Sequence, residues 1–390
     1  MTATLDCDVL VVGGGPGGSS ISTLLARRGW RVLLLERDHH PRFHIGESLL
    51  PADLPIFEQL GVLEKVRAIG RVKLGADFPR AHGSWGTFLF KRALGNTPPH
   101  AFHVIREQFD QMLFEHAREN GADAREGIKV ERTEFLDDHI EAQARQDDGG
   151  TLAIRARYLV DASGRETFLG KQMKIVHRNE EHQSAAIYAH FEDVAFTPGD
   201  SGGNIISAIA FEHGWAWFIP LPNGTTSIGC VCKPEYLKQR RGSPNTEFLL
   251  RTLAMIPPAQ ARLANARLVS DVRATGNYSY ACTRMAGKRW IMIGDAYAFL
   301  DPIFSSGVYL ATHGALHAAE VVDGALREPK REAALQRRYA RRVRAGLRRF
   351  SWFIYRFNSP VMRGLFAQRA VDHLGCVKCA VGGEIYAGRK

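Results

Sequence analysis

The sequence predicts an α/β protein: a discontinuous Rossmann-like nucleotide-binding domain, an inserted β-sheet domain, and C-terminal helices. Three observations carry this reading. A strand, glycine turn, helix and strand open the chain; a second strand ends at Gly294-Asp295 and runs into a long helix; and a β-rich block lies between them. Elements of one nucleotide site are thus spread along the chain, which places the β-rich block as an insertion. The expected division is 1–75, 100–175 and 270–345 for the nucleotide-binding domain. Residues 76–99 and 176–269 would form the substrate domain, and 346–390 a C-terminal helical segment.

The opening unit is the most specific. "DVLVV" is a β-branched run that feeds "GGGPGGSSISTLLARRG" and then "WRVLLLER". Gly13, Gly15 and Gly18 make G-x-G-x-x-G in strand–helix context, and Glu36 ends the second strand 18 residues after the last glycine. Gly13 permits the tight turn, Gly15 lets backbone approach a pyrophosphate, and Gly18 lets helix and strand pack closely. The helix N-terminus offers N–H groups to phosphate, and Glu36 can accept from a ribose diol. Dinucleotide binding follows.

A second alternating strand ends at Asp161 in "ARYLVDASGRE". "NIISAIAFE", "WAWFIPL" and "TTSIGCVC" read as three strands separated by His-Gly and Pro-Asn-Gly-Thr turns. Then "RWIMIGDAYAFLDPIFSSGVYLATHGALHAAEVV" is a strand, a loop and a helix beginning near Gly307. Apart from the N-terminal fingerprint, no G-x-G-x-x-G stands in strand–helix context, so no second dinucleotide fold is expected.

Composition narrows the class. The 390 residues are 45% hydrophobic and 24% charged, ordinary globular values with length for a large core. No stretch reaches the roughly 20 apolar residues of a membrane span. The N-terminus lacks a basic signal region, so a reduced, cytoplasmic protein is expected. Of six cysteines, Cys230 and Cys232 share a strand and suit packing. Cys376 and Cys379 form a lone C-x-x-C without two further ligands nearby, so no metal site is expected.

The net charge of +10 is uneven. Lys330, Arg331, Arg337, Arg338, Arg341, Arg342, Arg344, Arg348 and Arg349 stand against Glu332 alone. Leu335, Tyr339, Val343, Leu347 and Phe350 recur between them at helical spacing, so the arginines decorate an amphipathic helix. Such a face is either simply solvated or a docking surface for an acidic partner. Nucleic acid is not expected, because no aromatic platform or recognition motif accompanies the charge.

These motifs together resemble the flavin-dependent halogenases of the para-hydroxybenzoate-hydroxylase-like superfamily, particularly those acting on phenols and pyrroles. The fingerprint "VVGGGPGGSSISTLLARRG", the Gly-Asp signature "GDAYAFLDPIFSSGV", "VIREQFDQML", "PRFHIGESLLP" and "GWAWFIPL" carry the resemblance nearly end to end. It implies FAD as cofactor, held at Gly13, Gly15, Pro16, Gly17, Gly18, Glu36, Arg37, Arg42, Ser48, Arg106, Asp295, Gly307 and Val308. Gly46 and Glu47 belong to the same flavin-side stretch. "VDASG", Asp161 to Gly164, is a superfamily element or equally a structural turn.

Three features then imply halogenation. Trp215, Trp217, Ile219 and Pro220 form W-x-W-x-I-P, whose indoles would wall the flavin from the substrate; by themselves they also read as core. Backbone amides at Ser305, Ser306 and Gly307 would bind chloride or bromide at a helix N-terminus, although in hydroxylases the equivalent loop only contacts the flavin. Lys73 in "VRAIGRVKLGADF" matches the segment of the catalytic lysine, where burial would lower the amine pKa; the alternative is a lysine snorkelling from a strand edge. The resemblance further implies reduced FAD from a separate flavin reductase and a small aromatic substrate. The basic helix suggests its presentation on an acidic carrier protein. A hydroxylase or geranylgeranyl-reductase-like oxidoreductase on the same scaffold is the alternative. The catalytic glutamate of tryptophan-specific halogenases cannot be placed, which argues against free tryptophan.

Overall fold

A computed structural model describes residues 4–357 apart from 80–83, 94, 198, 201 and 241; the Cys376–Cys379 pair and most of the expected C-terminal segment lie outside the described residues. The β-branched opening run becomes the strand Thr4–Val12, whose last six residues are buried. It pairs in parallel with Thr151–Asp161 on one side and Val32–Leu35 on the other. Asp123–Arg125 extends the sheet beyond Val32–Leu35, and Trp290–Met292 extends it beyond Thr151–Asp161. Strand order therefore reverses at Thr4–Val12, and the carboxyl ends of these strands open a crevice at that switch point. Helix Pro16–Ala26 packs against both Arg106–Glu119 and Gly307–Arg327. An antiparallel pair, Ile128–Phe135 and Ile140–Gln146, closes the sheet's far end on Thr151–Asp161.

The second sheet has nine strands. The three strands read from the sequence are present as Ile205–Phe211, Gly214–Pro220 and Thr226–Cys232, paired antiparallel in turn. Gly75–Pro79 runs parallel to Ile205–Phe211, with Trp85–Leu89 beyond it at one edge, and Val176–Glu192 with Arg273–Cys282 continues the sheet toward the other. Gly229 is required here by space: a Cβ on it would lie 2.3 Å from the Trp217 ring. Cys230 and Cys232 are buried, unpaired thiols in this sheet.

The predicted basic helix spans Glu332–Phe357. Its apolar face seats Tyr339 in the hydrophobic cluster of the first sheet, where the hydroxyl donates to the Met292 carbonyl at 3.0 Å. Phe350 and Ile354 are buried in a separate hydrophobic cluster that also holds Val308 and Tyr309. Truncating Phe350 would cost about 3–5 kcal/mol, the usual penalty for emptying a packed aromatic site. Arg337, Arg338, Arg341, Arg342, Arg344, Arg348 and Arg349 remain exposed. No described helix is long and apolar enough to cross a membrane.

Candidate functional site

A cavity of about 960 Å³ opens at the switch point and is lined by both sheets. Its nucleotide end is built from backbone. Gly13 has φ +102°, and a Cβ there would meet the Ala162 carbonyl oxygen at 2.6 Å. A Cβ on Gly18 would sit 1.8 Å from the Gly13 oxygen, so this position packs helix on strand and does not line the cavity. Gly15 is different: its nearest neighbour would be Arg42 Nη2 at 3.8 Å, leaving open space beside the chain. Pro16 begins the helix, whose N-terminus has no side-chain cap.

Glu36 is buried and accepts from Gly14 N at 2.6 Å, Asp38 N at 3.1 Å and Arg42 Nη2 at 3.2 Å. Arg106 donates from Nε and Nη2 to Asp110 at 2.8 and 2.9 Å, and from Nη1 to the Ile45 carbonyl at 3.0 Å. Burial alone would raise the Asp110 carboxyl, but the Arg106 guanidinium beside it holds it below the usual range. Arg37 pairs with Glu166, and both line the cavity. Asp295 lines it too, and burial pushes its carboxyl up to about 6 against the pull of Arg165 and Arg106. Asp161 does not line the cavity; its carboxylate accepts from Ser163 N and Leu169 N, which makes it a turn former.

The wall opposite is aromatic. Trp215, Trp217 and Ile219 line the cavity with Tyr188, Ile206 and Ala208, and the two indole centroids are 5.8 Å apart. Pro220 lies off the lining, its carbonyl held against His103 Nδ1 at 2.8 Å. Trp217 Nε1 donates to Ser227 Oγ at 3.2 Å, and Ser227 donates to Glu47 Oε2 at 3.0 Å. Glu47 Oε1 lies 2.9 Å from His190 Nε2. One carboxylate, that of Glu47, buried and on the lining, thus fixes an indole across the cleft.

At the start of Gly307–Arg327, Ser305, Gly307 and Val308 line the cavity, while Ser306 is buried outside it. Ser305 adopts a left-handed conformation at φ +56°, and its N–H donates to the Pro302 carbonyl at 2.8 Å. This corrects the expectation of three converging amides: the Ser305 amide is engaged, which leaves those of Ser306 and Gly307 at a helix start without a side-chain cap.

Lys73 lies on Arg71–Lys73, paired with Ala101–His103. The side chain turns inward instead of snorkelling, is 2% exposed, and donates from Nζ to the Leu49 carbonyl at 2.8 Å. Nζ is 5.2 Å from the Phe90 ring centroid. Burial lowers the amine to about 7, opposed by the charge of Asp53. Lys73 is outside the cavity lining. Sequence reasoning missed Asp53, Ser227, His190 and Arg165, the last of which lines the cavity and stacks 4.7 Å over Phe299.

A flavin dinucleotide fits this cleft. Arg42 Nε and Ser48 Oγ are buried without hydrogen-bond partners and belong to cavity-lining residues, as donors awaiting a ligand would. Gly15 leaves room for a pyrophosphate, and Glu36 stands where a ribose diol would be read. Fold and site define an FAD-binding flavoprotein. Residues 6–348 match the FAD binding domain family. The flavin-dependent halogenase rdc2 of Metacordyceps chlamydosporia is 35% identical over 89% of this chain and 70% of its own length. A tryptophan 2-halogenase of Chondromyces crocatus is 35% identical over 80% of this chain and 60% of its own length. The myxobacterial chondrochloren halogenase CndH, described as a variant of FAD-dependent halogenases, superposes with a TM-score of 0.84 at 34% identity, over 92% of this chain and 84% of that one. The chain belongs to the flavin-dependent halogenases.

Proposed function

We propose that the protein halogenates an electron-rich aromatic ring, a phenol or a pyrrole, and that Lys73 handles the oxidised halogen. Bound reduced FAD would supply, with dioxygen, the oxidation of chloride or bromide to hypohalous acid. The residues do the rest. Gly13, Gly15, Glu36, Arg42, Arg106 and Asp295 hold and orient the cofactor; the Ser306 and Gly307 amides offer a halide site where helix dipole and free N–H groups favour an anion. Trp215 and Trp217 separate this compartment from the ring to be modified and exclude water from it.

Lys73 stands outside the cavity lining, so the small oxidant must travel to it. A neutral amine accepts halogen from hypohalous acid, giving an N–halogen bond and water. Transfer to an aromatic carbon then returns the C–H proton to the nitrogen. The single observation that carries the reading is a lysine amine buried inside the fold, 2% exposed and bonded to a backbone carbonyl; burial lowers it to about 7 and so leaves a large fraction neutral at physiological pH. Reduced FAD would come from a separate reductase. The exposed arginines of Glu332–Phe357 favour a substrate tethered to an acidic carrier.

The test supplies FAD, a flavin reductase, NADH and bromide with phenols, pyrroles and, given the tryptophan 2-halogenase relative, indoles, followed by mass spectrometry. Brominated phenol or pyrrole is the expected product. Oxygen in place of bromine would assign the chain to hydroxylation instead. Equal turnover of free and carrier-tethered substrate would remove the carrier.

A further inference from the structure

The peptide between Leu49 and Leu50 is hydrogen-bonded at both ends. Its carbonyl accepts from Lys73 Nζ at 2.8 Å, and its N–H donates to Asp53 Oδ2 at 2.8 Å. Asp53 Oδ1 lies 3.4 Å from the Thr312 hydroxyl, whose nearer acceptor, at 3.0 Å, is the Val308 carbonyl of its own helix, the one that starts at Gly307. Leu49, Asp53 and Thr312 are fully buried, and Lys73 and Leu50 are nearly so. An amine and a carboxylate therefore face each other through one peptide dipole, with its oxygen toward the amine and its N–H toward the acid. Such an alignment polarises along its length and favours the charged form at both ends.

We propose that Asp53 is a positioning residue for Lys73, holding the amine through the Leu49–Leu50 peptide and supplying its compensating charge. This rests on the role given to Lys73 above and adds the charge that opposes burial in setting when the amine is neutral. The other groups facing the pair do not supply that charge. His103, on the strand paired with Lys73, is held neutral first by burial and then by the lysine's own field. Arg71 lies on the lysine's own strand and is bonded to the Leu221 and Gly202 carbonyls. Tyr309, on the helix carrying Thr312, is raised by burial and then by the Asp53 charge, so it stays protonated. Phe90 offers only its ring face.

Burial pushes the Asp53 carboxyl up to about 7 and the Lys73 amine down to about 7, each partly resisted by the other. The pair can thus pass between a charged and a neutral state near pH 7 without changing net charge, and its two titrations are coupled.

The experiment is NMR titration of the full chain carrying ¹³C-labelled lysine and aspartate, with no turnover involved. The Lys73 signal is the one lost in Lys73→Met. In Asp53→Asn, which keeps an oxygen for the Leu50 N–H, the amine midpoint should fall by about one pH unit, the low end expected for losing a nearby opposite charge. Reciprocally, the Asp53 carboxyl midpoint should rise in Lys73→Met. Either shift supports the coupling, so one folded variant suffices; unmoved midpoints in the folded variants would overturn it. The halogenation pH profile of Asp53→Asn should move to lower pH with the amine. Failure here is separable from failure of the proposed function. If Lys73→Ala still halogenates, the lysine's role falls while the coupling stands. If Lys73 is essential but its midpoint ignores Asp53, only the coupling falls.

Discussion

The two ends of the cleft are made in opposite ways. The nucleotide end is backbone geometry: a glycine at φ +102°, another beside open space, and a carboxylate one strand away. The aromatic end and the lysine behind it are side-chain chemistry, in which Trp217, Ser227, Glu47 and His190 join across 180 and 143 residues of chain. A nucleotide can be gripped by repeating local geometry, since every pyrophosphate looks alike. The oxidant handling proposed for Lys73 would need a particular buried amine, and burying a charge costs stability.

Breaking the first end should have the largest effect. Gly13→Val forces a β-branched side chain to φ +102° and into the Ala162 carbonyl, so FAD affinity should fall about 100-fold or more, the equivalent of roughly 3 kcal/mol. Flavin fluorescence titration reads this, and parental affinity would show that the turn tolerates a side chain. Glu36→Ala removes the acceptor without touching the turn and should weaken FAD about tenfold in the same assay.

The second end responds differently. Above about pH 7 the Lys73 amine is neutral, so if the neutral form takes the halogen, halogenation should rise with pH through that value and then level. A rate flat from pH 6 to 9 would separate the chemistry from the amine. Ser227→Ala leaves Trp217 Nε1 and Glu47 without their shared hydroxyl. It should cost about 1–3 kcal/mol and alter the tryptophan emission while FAD affinity holds.

The smallest effect sharpens the comparison most. Folding lowers the Lys73 amine from 10.5 to about 7, so the unfolded chain binds more protons between these values. Stability supplied by this site therefore increases as pH rises from 7 to 10.5, and the burial penalty is full below about 7. The melting-temperature difference between the parent and Lys73→Met should therefore shift in the parent's favour by about 2 °C or more between pH 7 and pH 10.5. A difference that does not move with pH would mean that folding does not lower the amine.

How much of this was legible follows the same division. Gly13, Gly15, Gly18 and Glu36 are read from spacing because a dinucleotide turn has few sequence solutions. The three strands from Ile205 to Cys232 are read from alternation between clear turns. Lys73 stands out as a charge among apolar residues. Asp53 in "LLPADL" does not, because its meaning comes from a peptide shared with a lysine 20 residues later. Nor can spacing reveal that the Ser305 amide is consumed by Pro302, or that Glu47 meets Ser227, since both depend on local backbone and sheet register.

If the buried lysine, and not the flavin compartment alone, delivers halogen to the ring, losing the amine should uncouple oxidation from halogenation. Purified Lys73→Ala, given reduced FAD, oxygen and bromide, should reoxidise flavin at the parental rate and release hypobromous acid to a scavenger while forming no brominated aromatic. Brominated product at the parental rate would mean that Lys73 does not deliver the halogen.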